Sequence, residues 1–482
     1  MINPRLIAHL TGWIVLVTGL GFLLPLIPAY LDHDGSDKFF WQSVAVCVFL
    51  GCVLLAIGGK DAGHEPRYRD SLAVVGITWF LVSCLGALPY AFSGRLDLPG
   101  SIFESFSGFS STGATVVANL HAWPRSLLFW RAFSQWLGGM GIIVLMVAVL
   151  PFLGVGGQMM LKSEVSGPAS DKLRPRVAQT AKILWGVYLV ISALAIVLLA
   201  LGGLGIFDSI CQAMATISTG GFANFDDSAG HFDSMYVRTV LLALMLIGSV
   251  SFALYWQALH GNWRALVMNR EVVFLVFLIL GITLLSAGAL VAEGLMPVGR
   301  ALFESLFHAV ANVSTTGLNV SDWSKWPHLS QAALFFLFFV GGCSGSTSGG
   351  VKCIRWVLLL KTINRACRRL IHPRGVFPVR LQGRTIGEPV LEGVWQFFLI
   401  YFLIMALATL ANTALGLDIL TALSATASAM GNVGPALGAI GPAGSYADVN
   451  GPVKLVLSLC MLLGRLEFYS FIVLFFPEFW RK

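Results

Sequence analysis

The sequence predicts an all-α integral membrane protein of ten transmembrane spans. Eight of them form four span–pore helix–span repeats in a pseudo-fourfold arrangement around one pore, and two extra spans stand at the N-terminus. Three observations carry this. Hydrophobic types make up 56% of the 482 residues and charged types only 11%, against about 25% charged in soluble domains. Ten apolar runs reach the length of about 20 residues that a bilayer crossing needs. One short motif, rich in Ser and Thr and ending in Gly, recurs four times. So few polar side chains cannot cover a water-facing globule of this size, and mean hydropathy is +0.80. A soluble enzyme, a disordered chain and a nucleic-acid binder are set aside on that ground.

The ten runs lie near 6–30, 39–58, 71–92, 126–151, 180–203, 236–259, 272–292, 329–360, 390–416 and 453–476. Shorter apolar pieces near 100–110, 206–217, 300–313 and 419–431 are too short to cross. They read as re-entrant segments, which survive at membrane depth only where they line a water-filled cavity. Placing the N-terminus inside puts 22 of the 31 Lys and Arg residues on inner segments, among them Lys60, Arg67, Lys162, Lys172 and nine residues from Lys352 to Arg384. Eight, including Arg131, fall outside, and Arg465 lies within a span. This bias favours cytoplasmic termini and puts all four short pieces on the outer side. The net charge of +7 reflects the inner loops. The eight cysteines show no metal-ligand spacing and read as reduced thiols in lipid or cytosol.

The repeat is the strongest signal. Its copies are Ser110-Ser111-Thr112-Gly113, Ser218-Thr219-Gly220-Gly221, Ser314-Thr315-Thr316-Gly317 and, more weakly, Gly431-Asn432-Val433-Gly434. The final glycines are 108, 96 and 117 residues apart, and Ser101, Ser209, Ser305 and Ala422 stand twelve residues before them. Each unit crosses twice, so all four share one orientation. The units are 70–160, 161–262, 263–384 and 385–482, after two extra spans in 1–69. A short helix ending at mid-depth aims its negative dipole end inward. The extended segment after it presents free carbonyls, and four such segments can replace the hydration shell of a cation. Gly lets the backbone approach the ion and adopt positive φ. The motifs carry no Asp or Glu ring, which suits a desolvated monovalent cation better than Ca²⁺ or Mg²⁺.

Phe103-Glu104-Ser105-Phe106-Ser107-Gly108-Phe109, running into Ser-Ser-Thr-Gly-Ala-Thr, together with Ser-Thr-Gly-Gly-Phe, Ser-Thr-Thr-Gly-Leu and Asn-Val-Gly-Pro, resembles the Trk/Ktr/HKT superfamily of potassium transporters, and within it the bacterial Trk-type uptake subunits. The resemblance covers essentially the whole chain. It implies a potassium-binding selectivity filter at Ser111, Thr112, Gly113, Thr219, Gly220, Gly221, Thr315, Thr316, Gly317, Asn432, Val433 and Gly434. In that superfamily a Ser at the first filter glycine accompanies sodium permeation; Gly113 here implies potassium. The fourth copy departs from the Ser/Thr pattern. The resemblance further implies a homodimer in the bacterial inner membrane and a cytosolic TrkA-type ring that senses nucleotides. No organic cofactor is expected on this chain itself.

Two intramembrane features read as a gate. The eighth span is interrupted at 341–350, where Gly341, Gly342, Gly345, Gly349 and Gly350 alternate with Ser344, Ser346, Thr347 and Ser348. Five glycines at about 1 kcal/mol each oppose a continuous helix. The segment reads as a loop beneath the third filter segment; the alternatives are a Gly-rich packing surface and, less well supported, a phosphate-binding loop. Arg465 stands midway along the last span, where a charge costs at least about 2.5–3.5 kcal/mol. It either faces the permeation path and the loop or pairs structurally with a neighbouring helix. The resemblance implies the first, since Trk-type subunits have an intramembrane loop here and an Arg in this span linked to it.

Weaker items stay open. Asp226, Asp227 and Asp233 form either an acidic vestibule or a solvated loop. Glu104 points to the ion path or pairs with a helix end. The basic stretch Lys361–Arg384 docks a regulator or follows from topology alone. The competing function is a secondary transporter coupling potassium to proton or sodium. Against it stand the shared orientation of the repeats, a single broken span, and Glu467 as the one clear intramembrane carboxylate away from the outer mouth. A membrane-embedded enzyme finds no nucleophile–base constellation and no clustered histidines.

Overall fold

Backbone groups in lipid must find partners within their own segment, so long apolar runs fold as helices. In the computed structural model, which describes residues 3–59, 68–148, 173–442 and 444–481, they do so. Lys60, Arg67, Lys162, Lys172, the end of the fourth expected span and the boundary at 160/161 lie outside the described residues. At the N-terminus the Asn3 side chain accepts from the N–H groups of Arg5 and Leu6 and starts the helix Pro4–Gly21. This helix packs lengthwise on Asp37–Gly58 through small residues, with Gly51 against Leu16 and Gly58 against His9.

The rest of the chain repeats one order: long helix, short helix, extended segment, second helix. The short helices are Leu98–Phe109, Ile206–Ile217, Val298–Val313 and Ile419–Gly431. Asp97 and Asp418 cap the first and fourth by accepting from the N–H groups of Gly100 and Thr421. Thr421 also holds the exposed Asp418 carboxyl below its usual range. The second helices are Arg125–Ala148, Met235–Ser249, His328–Phe336 and Gly451–Arg465. Among the described residues, one departure from an all-helical chain stands at the basic segment. Arg380–Leu381 and Arg384–Thr385 form a two-stranded antiparallel hairpin. Gln382 and Gly383, at φ 48° and 81°, make the tight turn between them.

Among the described residues, six helices are long and apolar enough to cross a membrane, or eight if each of two bent pairs is one span. The run expected at 236–259 bends by 98° after Ser249, and the run at 453–476 bends by 112° after Arg465. The run expected at 329–360 is interrupted too, since its helix stops by Phe339 and a new one starts at Cys353. Three runs are therefore broken, where the sequence reading broke only the eighth. After Ser249 the cause is tertiary hydrogen bonding. The Gly248 and Ser249 carbonyls, which would have continued their helix, accept instead from the N–H groups of Thr347 and Cys343 at 3.2 and 2.8 Å. At the second bend Glu467 and Phe468 take φ of 55° and 62°, and Tyr469 N–H closes a γ-turn onto Glu467 O at 2.8 Å.

Candidate functional site

The four short helices end alike. Ser111, Thr219, Thr315 and Asn432 take left-handed backbone, with φ between 52° and 59°. The next residue's N–H, on Thr112, Gly220, Thr316 and Val433, reaches back five residues to the carbonyls of Ser107, Ala215, Ala311 and Ser428 at 2.8–3.0 Å. This is a Schellman ending, normally served by Gly, and here it carries side chains at a cost of about 1 kcal/mol each. Hydroxyl bridges brace it: Ser110 to Thr112 at 2.6 Å and Ser314 to Thr316 at 2.8 Å. The fourth segment, weakest in sequence, has the same backbone as the others. Its Asn432 is the non-Gly residue type most tolerant of that conformation.

The glycine that follows has positive φ in all four copies: 82° at Gly113, 79° at Gly221, 68° at Gly317 and 104° at Gly434. Each glycine also lies against a carbonyl of the next segment. A Cβ on Gly113 would fall within 3.0 Å of Gly220 O, one on Gly221 within 3.0 Å of Thr316 O, one on Gly317 within 3.0 Å of Val433 O, and one on Gly434 within 3.0 Å of Thr112 O. The contacts run first to second, second to third, third to fourth and fourth to first. Four equivalent carbonyl oxygens therefore sit in a closed ring, each from the residue before the glycine. These are the groups that can hold a desolvated cation. All twelve residues named from the sequence as filter residues lie in these four segments.

The ring has two unlike faces. On the side of the residues after the glycines lies a cavity of about 330 Å³, lined by Ala114, Phe222, Asn319, Pro435 and Asp226 among others. Asp226 and Asp227 also line a neighbouring pocket with Asp322, whereas Asp233 lines neither. On the opposite side, 341–350 is a wholly buried loop. It reaches more than the third segment. Thr347 Oγ1 donates to the Ile217 and Gly248 carbonyls at 2.9 and 3.0 Å, below the second segment. Gly349 N–H donates to Thr315 Oγ1 at 2.7 Å, and Gly349 also packs on Asn432. Arg465 reaches the remaining, first segment: its guanidinium donates to Thr347 O at 2.7 Å, to Gly138 O at 3.1 Å and to Ser111 Oγ at 3.3 Å. Arg465 is 2% exposed and its Nε has no partner among the described residues.

More charge surrounds the loop than the sequence reading placed there. Lys352 donates to Ser348 O, and Arg355 pairs with Glu467 while lying over the Phe397 ring. Both were counted as inner-loop residues; they are buried, because the chain re-enters the helical core directly after the loop. Glu467, singled out as a possible proton carrier, is this ion-paired partner. Glu271 accepts from Ser344 N–H at 2.7 Å. On the outer side Glu104 pairs with Arg131 at 2.7 Å and accepts from Thr115 and from Val116 N–H. That settles its place: it does not line the ring, and Arg131 is a buried partner, not an outer-loop charge. Sequence reasoning passed over Gln135, Asn319 and Tyr446, which donate to Gly220 O, Gly317 O and Gly434 O at 2.7, 3.2 and 3.1 Å. For Gln135 a signal existed, a polar side chain inside an apolar span.

Residues 36–482 match the family described as TrkH, cation transport protein. The chain is 37% identical over 489 residues to the Trk system potassium uptake protein TrkH of Escherichia coli (strain K12), covering 99% of each. It is 38% identical over 473 residues to the Trk system potassium uptake protein TrkI of Halomonas elongata, covering 98% of this chain and 95% of that one. Among solved structures, the potassium transporter TrkH from Vibrio parahaemolyticus matches with a TM-score of 0.91 at 34% identity, over 100% of both chains. The chain belongs to the TrkH family, a family of cation transport proteins and not of enzymes.

Proposed function

We propose that this member of the TrkH family is the potassium-selective, ion-conducting subunit of a potassium uptake system in a bacterial inner membrane. The observation that carries the reading is the closed ring of four equivalent carbonyls, each packed against a glycine of the neighbouring segment. A ring of backbone oxygens replaces hydration water around a monovalent cation without a fixed negative charge. Its pseudo-fourfold arrangement follows from four units of one orientation, within ten spans that start and end in the cytoplasm. The relatives' names as potassium uptake proteins agree with the ion.

The loop 341–350 and Arg465 are the gate in this reading. The loop lies across the inner face of the ring, and the Arg465 charge stands beside it, where it opposes a cation. A homodimer and a cytosolic TrkA-type nucleotide-sensing ring are the expected partners, the second acting through the basic inner segment around Lys361–Arg384. Potassium is cargo here, and no organic cofactor is assigned to the chain. Alternating access is the second reading, and the two additional bent spans favour it, since broken helices are common in carriers. Purified protein in a planar bilayer separates the two. Unitary potassium currents support the pore, and saturable flux without unitary events at equal protein density overturns it.

A further inference from the structure

The second filter segment differs from the other three at one position. Before the ring glycine stand Thr112, Thr316 and Val433, but Gly220 in the second copy. Backbone conformation does not require that glycine, because Gly220 is not among the residues with positive φ. Space does. A Cβ on Gly220 would fall within 3.0 Å of Cδ, Oε1 and Nε2 of Gln135.

Gln135 belongs to the preceding unit. It lies three residues before Gly138, where its helix passes the Phe109 carbonyl at the end of the first short helix. Gly248 and Gly464 pass the ends of the second and fourth short helices in the same way, and Gly341 aligns with Gly138 through its Gly-Gly pair, which makes Met245, Phe338 and Met461 the counterparts of Gln135. All four side chains are fully buried, and only Gln135 is polar. Its amide spans the second segment. Nε2 donates to Gly220 O at 2.7 Å, and Oε1 accepts from Phe222 N–H at 3.1 Å, so the two bonds bracket Gly221. Its own carbonyl accepts from Ser111 Oγ of the first segment at 3.3 Å. Gly220 O is the ring oxygen that meets Gly113.

We infer that Gln135 is a positioning residue for ion selection: its amide stands in for the side chain that Gly220 lacks and sets the direction and strength of the Gly220 carbonyl in the ring. The inference rests on the filter reading above. A donor on one lone pair draws electron density from that oxygen and leaves the other lone pair for the ion. It lowers the field at one of four ligands, and ion choice in a flexible ring depends on ligand field and number. The missing side chain at 220 and the amide at 135 are therefore one device split between two units.

The test is an exchange. Gln135→Met installs the residue found at two of the counterpart positions, Gly220→Thr installs the residue found in two other segments, and the double variant combines them. Each is purified as folded protein and assayed in liposomes for ⁸⁶Rb⁺ and ²²Na⁺ flux. Melting in K⁺ against Na⁺ is measured as a second readout that needs no conduction. Each single variant should lower the Rb⁺/Na⁺ ratio about tenfold and shrink the K⁺-specific gain in melting temperature, through an unpaired buried carbonyl in one case and a displaced amide in the other. The double variant should return both readouts to within about twofold of the parent, because the pair is coupled. A merely structural Gln135 predicts lower melting in both salts alike with an unchanged flux ratio, and that result overturns the inference. So does a double variant no better than the worse single one. Gly113→Ser runs alongside. If it leaves the ratio unchanged, the filter reading itself fails; if it lowers the ratio while Gln135→Met does not, only the role of Gln135 falls.

Discussion

The ring and the layer beneath it are built on opposite principles. The ring repeats one backbone four times, uses no charged side chain, and is held by glycines pressed against neighbouring carbonyls. The layer beneath comes mostly from one unit. It gathers Arg465, Lys352, Arg355, Glu271 and Glu467 around a single loop and adds their side-chain hydrogen bonds to the backbone bonds of Cys343 and Thr347. Steric contact between backbones has one solution and resists adjustment, which suits a fixed aperture. Side-chain bonds to a Gly-rich loop can be exchanged one for another, which suits an element with two states. The comparison teaches that the symmetric part of the molecule is fixed by backbone packing, and the asymmetric part by contacts centred on one loop.

The sharpest way to break this contrast is at the ring. The overlap that a Cβ would create is tightest at Gly221, followed by Gly317, Gly113 and Gly434. Alanine at these positions should damage potassium flux in that order, with Gly221→Ala abolishing it, because positive φ and a backbone collision act together. Flux per folded protein in ⁸⁶Rb⁺-loaded liposomes gives the order, and equal, mild effects at all four would count against a steric ring.

Next in size is removal of the loop's centre. Deleting Gly345–Gly349 takes away the Thr347 and Gly349 contacts to the second and third segments. Basal flux should rise severalfold without a cytosolic partner, while the Rb⁺/Na⁺ ratio stays near the parent's. A folded deletion that conducts no more than the parent places the gate elsewhere. A smaller effect in the same direction is expected from Arg465→Ala. Arg465→Lys keeps the charge but cannot serve Thr347 O, Gly138 O and Ser111 together. The order of flux should be Ala above Lys, with Lys at or above the parent. Parental flux in the Ala variant would leave Arg465 a structural role only.

The smallest functional effect is expected at the outer ion pair. Glu104→Gln leaves the buried Arg131 without its counter-charge and should cost about 3–5 kcal/mol of stability. Its flux ratio should hardly change, since Glu104 does not line the ring. Thermal melting against flux ratio separates the two, and a changed ratio at unchanged melting would bring Glu104 into the filter.

Much of this was legible in one dimension. The four glycines were identified by a recurring motif at the ends of short apolar pieces, and Arg465 by the cost of a charge in an apolar run. The fourth segment looked doubtful because Asn432-Val433 shares no side chains with Ser-Thr. Its equivalence lies in backbone conformation, which Asn reaches by a different chemistry. The break after Ser249 was illegible because 236–259 reads as one mainly apolar run, and its helix is interrupted by donors 94 or more residues away, Cys343 and Thr347, on the Ser249 and Gly248 carbonyls. Lys352 and Arg355 were misplaced because a charge just past a loop looks the same whether the chain leaves the membrane there or turns back into the core.

Composition, apolar run length and a recurring Gly motif determined by themselves that the chain is a helical membrane protein with four related short segments. Those properties are local, since each run forms its own hydrogen bonds and each motif carries its own turn. The order of the ring, the reach of the loop under the second, third and fourth segments, the pairing of Glu104 with Arg131 and the fit of Gln135 into the space at Gly220 were decided by tertiary structure alone. All but the Glu104–Arg131 pair join residues from different units, and every one of them depends on how whole helices pack, which spacing along one chain does not encode.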